Sequence, residues 1–373
     1  MAERSVNPFR YTGPIAPAEL IDRDDETSEL LANARGGHVT RLEAPRRYGK
    51  TSLLVRLLAE AAADGMATAL VDLEDVLSLG GVVARIERGY SRSLGGSLRR
   101  WVERQLANSE LGLSLGAVGF GVTLKTNPTL DVEPALLRLL SLPEQVNEKR
   151  GVRTLIVFDE VQGLLRVPGA AGIVRSVIQH HSDAASYVFA GSAPSLMRKL
   201  FDDPDAPFMA QGIPMRLPPL PSNLLTDEIE ARFRASGRDP SDALAELIRF
   251  CRGHPQRAMM LAHHLWNRVS RSGSADVDTW LDTRDAVVIH QERILRAQLQ
   301  VLPLNEQRAA RALAFAPDSP TSKEARGLVG LPRNSAYAAL TALTDRGEAI
   351  ESDLGLRLTD PLLEYWLRER SEI

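Results

Sequence analysis

The most informative stretch of the chain reads Ala44-Pro45-Arg46-Arg47-Tyr48-Gly49-Lys50-Thr51-Ser52. An apolar run, Val39–Ala44, leads into it, and a helical pattern, Leu53–Ala63, follows it. A loop between a strand and a helix presents backbone N–H groups to phosphate oxygens at the helix N-terminus. In this motif the lysine, Lys50, reaches the β- and γ-phosphates, and the hydroxyl of Thr51 is a magnesium ligand. The stretch therefore predicts a phosphate-binding loop (P-loop).

One position departs from the usual pattern G-x-x-x-x-G-K-S/T, because Ala44 stands where the pattern has its first glycine. We expect the added methyl group to restrict the first turn of the loop. Arg46 and Arg47 are either solvated charges or cations that contact phosphates or a neighbouring subunit. The alternative, a chance Gly-Lys-Thr triplet in an ordinary turn, is disfavoured by the flanking strand and helix patterns.

Short apolar runs alternate with longer helical patterns from His38 to Ser195, as is typical of a parallel sheet flanked by helices. The sequence predicts the strands Val39–Ala44, Thr68–Leu73, Thr154–Phe158, Tyr187–Ala190 and Met215–Leu217. Between the second and the third, apolar residues alternate with Gly, Ser and Thr around a Gly116-Ala117 turn. This alternation predicts a hairpin insertion near residues 111–124.

Two carboxylates follow the third predicted strand directly, at Asp159 and Glu160. The carboxyl ends of parallel strands line the ligand crevice of such sheets. We therefore expect Asp159 to hold magnesium and Glu160 to act as general base towards the attacking water. An apolar run that ends in Asp-Glu is weak evidence alone, because strands often end in solvated acids, but it is strong evidence after a P-loop.

The fourth predicted strand ends in Gly191-Ser192. If this strand neighbours the one that ends at Asp159, the Ser192 hydroxyl lies beside the γ-phosphate. The alternative is a serine in a tight turn, which turn preferences alone make equally acceptable.

A proline-rich break, Leu217–Ser222, ends the strand pattern, and helical periodicity follows it. We predict a core domain over residues 1–218, a second, all-helical domain over 219–302 and a winged-helix domain over 303–373. The winged helix is predicted from three helical patterns and a hairpin pattern that ends at Leu358.

Composition excludes several classes of protein. The 373 residues are 44% hydrophobic, enough to fill the cores of two or three domains, which excludes disorder as the chain's main character. A single cysteine, Cys251, excludes an internal disulfide and a cysteine-cluster zinc site. The net charge of -3 gives no global attraction to nucleic acid or anionic lipid. Without an apolar run that suits a signal peptide or a membrane span, we expect a cytoplasmic protein.

With these motifs in this order, the chain resembles the archaeal-type ATPases, a P-loop family related to AAA+ origin loaders and to STAND signalling ATPases. Members typically show G-P-R-R-x-G-K-T-S-L-L, strands ending in D-E and G-S, a G-H-P turn in a helical lid, and a C-terminal winged helix. The chain has APRRYGKTSLL at 44–54 and Gly253-His254-Pro255 as the lid turn. The resemblance implies an α/β, AAA+/STAND-like P-loop NTPase fold with a lid and a winged helix, and ATP with Mg²⁺ as ligands.

The resemblance also implies residues for the base end of a nucleotide. The lid turn of such proteins lies over the base and ribose, which assigns His254 and Pro255 to this position. The hydrophobic-glycine-arginine box of the family reads Leu20-Ile21-Asp22-Arg23 here. Asp22 therefore replaces its glycine, and Arg23 is the residue implied on the adenine side.

A second departure concerns catalysis. Relatives carry an arginine at the end of a P-L-Y-G-R-like stretch before the last core strand, whereas residues 207–211 of this chain read PFMAQ and end in Gln211. An arginine finger contributes about 10³ to 10⁵ in rate, so its absence implies weak hydrolysis. Arg198, Lys199 and Arg216 lie nearby in sequence as substitutes.

These observations favour a Mg-ATP-binding ATPase that couples binding and hydrolysis to movement of the lid and the winged helix. The alternatives are a nucleotide-gated, STAND-like switch with little turnover and a DNA-binding ATPase. Residues 304–373 hold nine basic and eleven acidic side chains, so DNA binding is not favoured by charge. The hairpin at 111–124 and the winged helix are candidate surfaces for a protein partner or a second copy of the chain.

Overall fold

The computed structural model describes residues 6–93, 100, 132–181, 183–352 and 355–369. The predicted hairpin near residues 111–124 lies outside these ranges. Two compact units make up the chain. The first, here called the sheet unit, is Arg23–Ala44 with Lys50–Leu217, and the second, here called the helical unit, is Met1–Asp22 with Pro45–Gly49 and Pro218–Ile373. The predicted bounds of three domains stay predictions.

All of the predicted core strands are present, and they pair in parallel in one sheet of order β2-β3-β4-β1-β5. Their bounds are β1 Val39–Glu43, β2 Ala67–Asp72, β3 Thr154–Asp159, β4 Ala185–Gly191 and β5 Ile213–Arg216. The predicted α/β class with a parallel sheet is confirmed.

Strands β3, β4 and β1 are consecutive neighbours, so their carboxyl ends share one edge of the sheet. Phe158 of β3 pairs with Phe189 of β4, and Glu43 of β1 pairs with Gly191 of β4. The amide of Ala44 donates to the carbonyl of Gly191 over 3.2 Å. The ends of β1, β3 and β4 are thereby held in a fixed register.

Strands β3 and β4 are buried along their whole length, as expected of central parallel strands that are shielded on both faces. The rings of Phe158, Tyr187 and Phe189 stack across these two strands with centroid separations of 5.5, 6.1 and 6.3 Å. A slip of one residue would turn these rings to the opposite face. The aromatic stack therefore fixes where each strand ends.

Helices flank the strands of the sheet unit. Within its described residues they are α1 Asp24–Arg35, α2 Lys50–Ala63, α3 Leu79–Ser93, α4 Val132–Arg150, α5 Ala170–Ile178 and α6 Pro194–Phe201. A 3₁₀ helix, Val161–Arg166, follows β3. Helix α2 begins at Lys50, directly after the last glycine of the P-loop motif.

The first part of the helical unit contains four helices, which we call the lid helices after the predicted lid. These are α7 Ser222–Ala235, α8 Ser241–Cys251, α9 Pro255–Arg268 and α10 Val277–Gln300. The turn between α8 and α9 requires a glycine, because Gly253 has φ +75° and a Cβ there would lie 2.5 Å from the carbonyl oxygen of Leu220. The glycine of the Gly-His-Pro turn is thus needed for close packing.

The C-terminal module, residues 304–369, follows in the same unit. It contains α11 Leu304–Phe315, α12 Lys323–Val329, α13 Arg333–Asp345, the antiparallel pair β6 Ala349–Ser352 and β7 Gly355–Leu358, and α14 Pro361–Glu369. Three helices, a hairpin and a further helix thus follow one another in this module, and its assignment as a winged helix stays a prediction. Of the helices the structure describes, none is long and apolar enough to cross a membrane.

The N-terminal segment is part of the helical unit. Phe9 is 1% exposed and packs against the ring of Phe233, with 5.1 Å between centroids. His263 Nδ1 lies 2.8 Å from the carbonyl oxygen of Phe9, and Asn7 donates to the carbonyl oxygen of His263 over 3.0 Å. Arg232 donates to the carbonyl oxygen of Pro8. These contacts anchor the segment to the lid helices.

We predict that Phe9→Ala lowers the free energy of unfolding of the helical unit by about 3–5 kcal/mol, the usual cost of emptying a buried phenylalanine site. Urea unfolding followed by tryptophan fluorescence measures the change. The matched control is Val6→Ala in the same segment, because Val6 is 87% exposed and its truncation should have almost no effect. Equal unfolding curves for the two variants would refute the anchoring role of Phe9.

Candidate functional site

A cluster of polar residues surrounds the ammonium group of Lys50 in the sheet unit. The Nζ of Lys50 donates to Asp159 Oδ1 and, over 2.7 Å, to Glu160 Oε1. Lys50 and Asp159 are both buried. A buried ammonium group requires such partners, because an unpaired buried charge is costly. The predicted P-loop lysine and the two strand-end carboxylates are therefore in direct contact.

Two hydroxyl groups complete this cluster. We define it as Lys50, Thr51, Asp159, Glu160 and Ser192 and call it the Lys50 cluster. Thr51 Oγ1 donates to Asp159 Oδ2 over 3.2 Å. Ser192 Oγ donates to Glu160 Oε2 over 2.9 Å, and Gln162 Nε2 donates to the same oxygen. Ser192 reaches Glu160 because β4 neighbours β3, which is the condition that the sequence-based prediction for Ser192 required.

The pKa values of the cluster follow from these contacts. Burial by itself would lower the pKa of Lys50, but the charges of Asp159 and Glu160 and their hydrogen bonds outweigh it, so this pKa is raised. Burial would raise the pKa of Glu160, but the charge of Lys50 and the hydrogen bonds from Lys50, Ser192 and Gln162 lower it. Both groups are therefore charged near neutral pH.

Glu160 has an unusual backbone. Its φ of +50° is in the left-handed region, and its amide donates to Asp159 Oδ1 over 2.9 Å. Such a conformation costs a non-glycine residue about 1–3 kcal/mol and occurs most often at functional sites. At Glu160 it ends β3 and turns the chain into the following 3₁₀ helix.

The loop of the P-loop motif combines a glycine and an arginine in left-handed conformations. Gly49 has φ +86° and no atom within 4 Å of the position of a Cβ, and Arg47 has φ +66°. The amide of Tyr48 donates to the carbonyl oxygen of Pro45 over 3.3 Å and closes the turn. Ala44 is buried without a positive φ, so its methyl group forces no backbone strain.

The Gly-His-Pro turn lies against the P-loop side chain of Tyr48 within the helical unit. The rings of Tyr48 and His254 meet edge to face, with 5.0 Å between centroids. His254 caps α9, because its Nδ1 accepts from the amide of Arg257 over 3.3 Å, and Pro255 is the first residue of that helix. Tyr48 and His254 are both nearly inaccessible to solvent.

A buried ion pair joins the same turn to the C-terminal module. Arg257 donates through Nε to Asp360 Oδ1 over 2.9 Å and through Nη2 to Asp360 Oδ2. Arg47 Nη1 of the P-loop lies 3.8 Å from Asp360 Oδ2. Asp360 Oδ1 also accepts from the amides of Leu362 and Leu363 at the start of α14. One carboxylate therefore contacts the lid, the P-loop and α14.

Sequence reasoning missed three of these residues. Asp360 stands directly before Pro361, which is a recognisable helix start, and Arg257 lies one helical turn after His254. Neither signal indicates that the two side chains pair, because they are 103 positions apart. Gln162 follows Glu160 by two positions in a 3₁₀ helix that the sequence did not reveal.

The remaining predicted site residues have different surroundings. Asp22, which replaces the glycine of the family box, has a left-handed backbone with φ +57°. Arg23 is 2% exposed at the start of α1 and pairs with Glu26 over 2.6 Å. Ser52 is buried in the first turn of α2, and Arg46 lies close enough to lower the pKa of Glu348, which burial raises. The roles predicted for these residues in nucleotide binding stay predictions.

The candidate substitutes for an arginine finger lie near β5 or in α6. The amide of Gln211 donates to the carbonyl oxygen of Phe208 in the turn before β5. Arg216, the last residue of β5, has an 82% exposed side chain 3.5 Å from Glu43. Arg198 belongs to α6. None of the described contacts assigns a finger role to these residues.

The Lys50 cluster has the chemistry that a magnesium nucleotide requires. The first turn of α2 has N–H groups without helical partners, and Lys50 supplies a cation beside them. Thr51 and Asp159 place a hydroxyl oxygen beside a carboxylate oxygen, and Mg²⁺ prefers oxygen ligands. In the described part of the chain, no group of three or more His, Cys, Asp or Glu residues could hold a metal alone.

The fold is similar to the folds of two archaeal proteins, a Walker-type ATPase and an ORC2 protein. The Walker-type ATPase of Pyrococcus abyssi superposes with a TM-score of 0.69 at 16% identity, over 96% of this chain and 99% of that one. The ORC2 protein of Aeropyrum pernix in its ADPNP–ADP complexes gives a TM-score of 0.60 at 17% identity, over 96% and 95%. Its ADP form gives 0.51 at 16% identity, over 96% and 97%. No protein-family model and no curated protein sequence matches the chain.

The chain has a P-loop NTPase fold. The predicted fold class is thereby confirmed over nearly the whole chain. In this fold the parallel sheet brings the ends of β1, β3 and β4 to one edge, which is where the Lys50 cluster lies.

We predict that the helical unit loses stability as the pH falls from 7 to 5, because His254 takes up a proton in the unfolded chain but not in the folded one. Burial lowers the pKa of His254 to about 4, from an ordinary value of 6.5, with Arg257 and Arg47 acting in the same direction against Asp360. Between these two pKa values the unfolded chain binds the additional proton, so stability falls with pH, by about 2 kcal/mol between pH 7 and pH 5.

Urea unfolding at pH 7 and at pH 5 measures this loss. The variant His254→Gln keeps a polar side chain at the start of α9 and removes the titrating group, so its unfolding free energy should change much less between the two values. An equal change in wild type and in the variant would show that His254 is not the group responsible.

Proposed function

We propose that this protein is a Mg-ATP-binding ATPase that couples ATP binding and hydrolysis to movement of the lid helices and the C-terminal module. The observation that carries the proposal is the contact of Lys50 with both Asp159 and Glu160, with Ser192 on the same carboxylate. The ATPase and nucleotide complexes named for the two archaeal proteins of the same fold support it.

Each residue of the Lys50 cluster has a distinct proposed task. Lys50 leaves its carboxylate partners to bind the β- and γ-phosphates, and Thr51 with Asp159 holds the magnesium ion. A magnesium ion held there would supply positive charge against the negative charge that develops on the phosphate oxygens. Ser192 donates to the γ-phosphate, or to Glu160 as it does in the present structure. At the base end we propose His254, Pro255 and Arg23, with Tyr48 and the N–H groups of residues 45–52 around the phosphates.

The proposed reaction is in-line hydrolysis. Glu160 accepts a proton from water while the water oxygen bonds to the γ-phosphorus, and the bond between that phosphorus and the β,γ-bridging oxygen breaks. The products are ADP and inorganic phosphate. The lowered pKa of Glu160 keeps the carboxylate ionised and therefore able to accept the proton at neutral pH.

We expect Lys50→Ala to abolish nucleotide binding, because it removes the only cation of the Lys50 cluster. Titration of the protein with ATP and Mg²⁺ in a calorimeter measures this. Lys149→Ala is the matched control, because Lys149 lies in the last turn of α4, on a different element, and should bind ATP as the wild type does. Unchanged affinity in Lys50→Ala would refute the site.

We expect Glu160→Gln to keep ATP binding and to lose turnover, because glutamine keeps the shape of the side chain without a basic oxygen. Phosphate release is measured at several protein concentrations, with this variant as the blank. Specific activity that rises with concentration indicates catalysis completed between subunits, with a cation from a second copy. Turnover that persists in the variant would exclude Glu160 as the base.

The second candidate function is a nucleotide-gated switch with little turnover. Gln211 in place of the family arginine favours it, since nothing at that position supplies a cation to the transition state. The switch would be identified if the wild-type protein binds nucleotide but releases no more phosphate than the Glu160→Gln variant does. DNA binding through the C-terminal module stays an alternative that the charge of residues 304–373 does not favour. The 111–124 hairpin stays a candidate surface for a second copy or a protein partner, and the cytoplasmic location stays a prediction from the sequence.

A further inference from the structure

The carboxylate of Asp360 occupies two guanidinium groups at once. Arg257 is 1% exposed and holds both carboxylate oxygens in a side-on pair, and Arg47 lies 3.8 Å from one of them. Bidentate pairing of this kind is the geometry in which guanidinium groups bind carboxylates and phosphates alike. A phosphate group could therefore accept the same hydrogen bonds from these arginines as the carboxylate of Asp360 does.

Arg47 belongs to the loop whose predicted ligand is a phosphate. It is held at φ +66°, a conformation that favours glycine, and its side chain extends to Asp360. The same position thus carries a charged side chain despite an unfavourable backbone. The contact with Asp360 therefore depends on a side chain that glycine would not supply.

Asp360 in turn fixes the beginning of α14. Its Oδ1 accepts from the amides of Leu362 and Leu363 over 3.0 and 3.4 Å, so the carboxylate is the N-terminal cap of this helix. Any event that draws the arginines from Asp360 changes the environment of these two amides. The state of the P-loop arginine is thereby connected to the last helix of the module.

We propose that Asp360 is an internal competitor of the nucleotide phosphates for Arg47, so that phosphate binding at the P-loop loosens the start of α14. This inference rests on the proposed nucleotide binding and adds the residues that transmit it. By linkage, the contact between Asp360 and Arg47 and the binding of nucleotide weaken each other by the same factor.

The first test compares Asp360→Asn with Glu364→Gln. Glu364 also joins α14 to the lid, through Arg252 at 2.9 and 3.1 Å, but this pair contains no P-loop residue. Calorimetry with Mg-ATP should give about 10-fold tighter binding for Asp360→Asn and binding within about 2-fold of wild type for Glu364→Gln. Unchanged affinity in Asp360→Asn, or an equal gain in both variants, would overturn the proposal.

The second test leaves the buried Arg257–Asp360 pair intact and uses Arg47→Met. Hydrogen exchange at Leu362 and Leu363 is measured with and without saturating Mg-ATP. Exchange at these amides should increase about 10-fold on ATP binding in wild type and in Glu364→Gln, and stay constant in Arg47→Met. No increase in wild type, or an equal increase in Arg47→Met, would show that Arg47 does not transmit binding.

The two levels of the proposal fail in different ways. If wild type and Lys50→Ala both bind no ATP, nucleotide binding itself is wrong. If wild type binds ATP, Lys50→Ala does not, and Asp360→Asn binds as wild type does, then only the competition by Asp360 is wrong.

Discussion

The candidate site depends on one buried ammonium group and the two carboxylates that neutralise it. Lys50 is the first residue of a helix, and Asp159 and Glu160 end a strand more than a hundred residues later. They meet because β1, β4 and β3 are adjacent and parallel, and because stacked aromatic rings on β3 and β4 prevent a change of register. The ion pairs in turn offset the free-energy cost of burying the Lys50 ammonium group. The core packing and the polar cluster therefore depend on each other.

The P-loop motif is shared between two hydrophobic cores. Residues 45–49 pack with the helical unit, whereas Lys50 and the helix that follows belong to the sheet unit. The loop and the helix that follows it therefore have different packing partners, although they are adjacent in the chain.

Local signals in the sequence were sufficient for the strands and for the phosphate loop. β3 and β4 are continuous apolar runs, and parallel central strands have this pattern because both faces are buried. The buried pair of Arg257 and Asp360 had no such signal, since its energy depends on a contact across 103 positions. The sequence also predicted that the methyl group of Ala44 restricts the first turn of the loop. Ala44 has no positive φ, so the methyl group causes no strain of this kind, and residue types alone do not fix φ.

The chain order of the two units bears on how the protein folds as it is synthesised. Most of the sheet unit is one stretch of chain that emerges from the ribosome before any lid helix exists. Phe9 and Asn7, by contrast, are made before the sheet unit, but their partners lie up to 260 positions later in the chain. Domains generally fold as units during synthesis, so the sheet can form first while the N-terminal segment stays unattached. Asn7 and Phe9 then reach their native contacts after the sheet has formed, although they precede it in the chain.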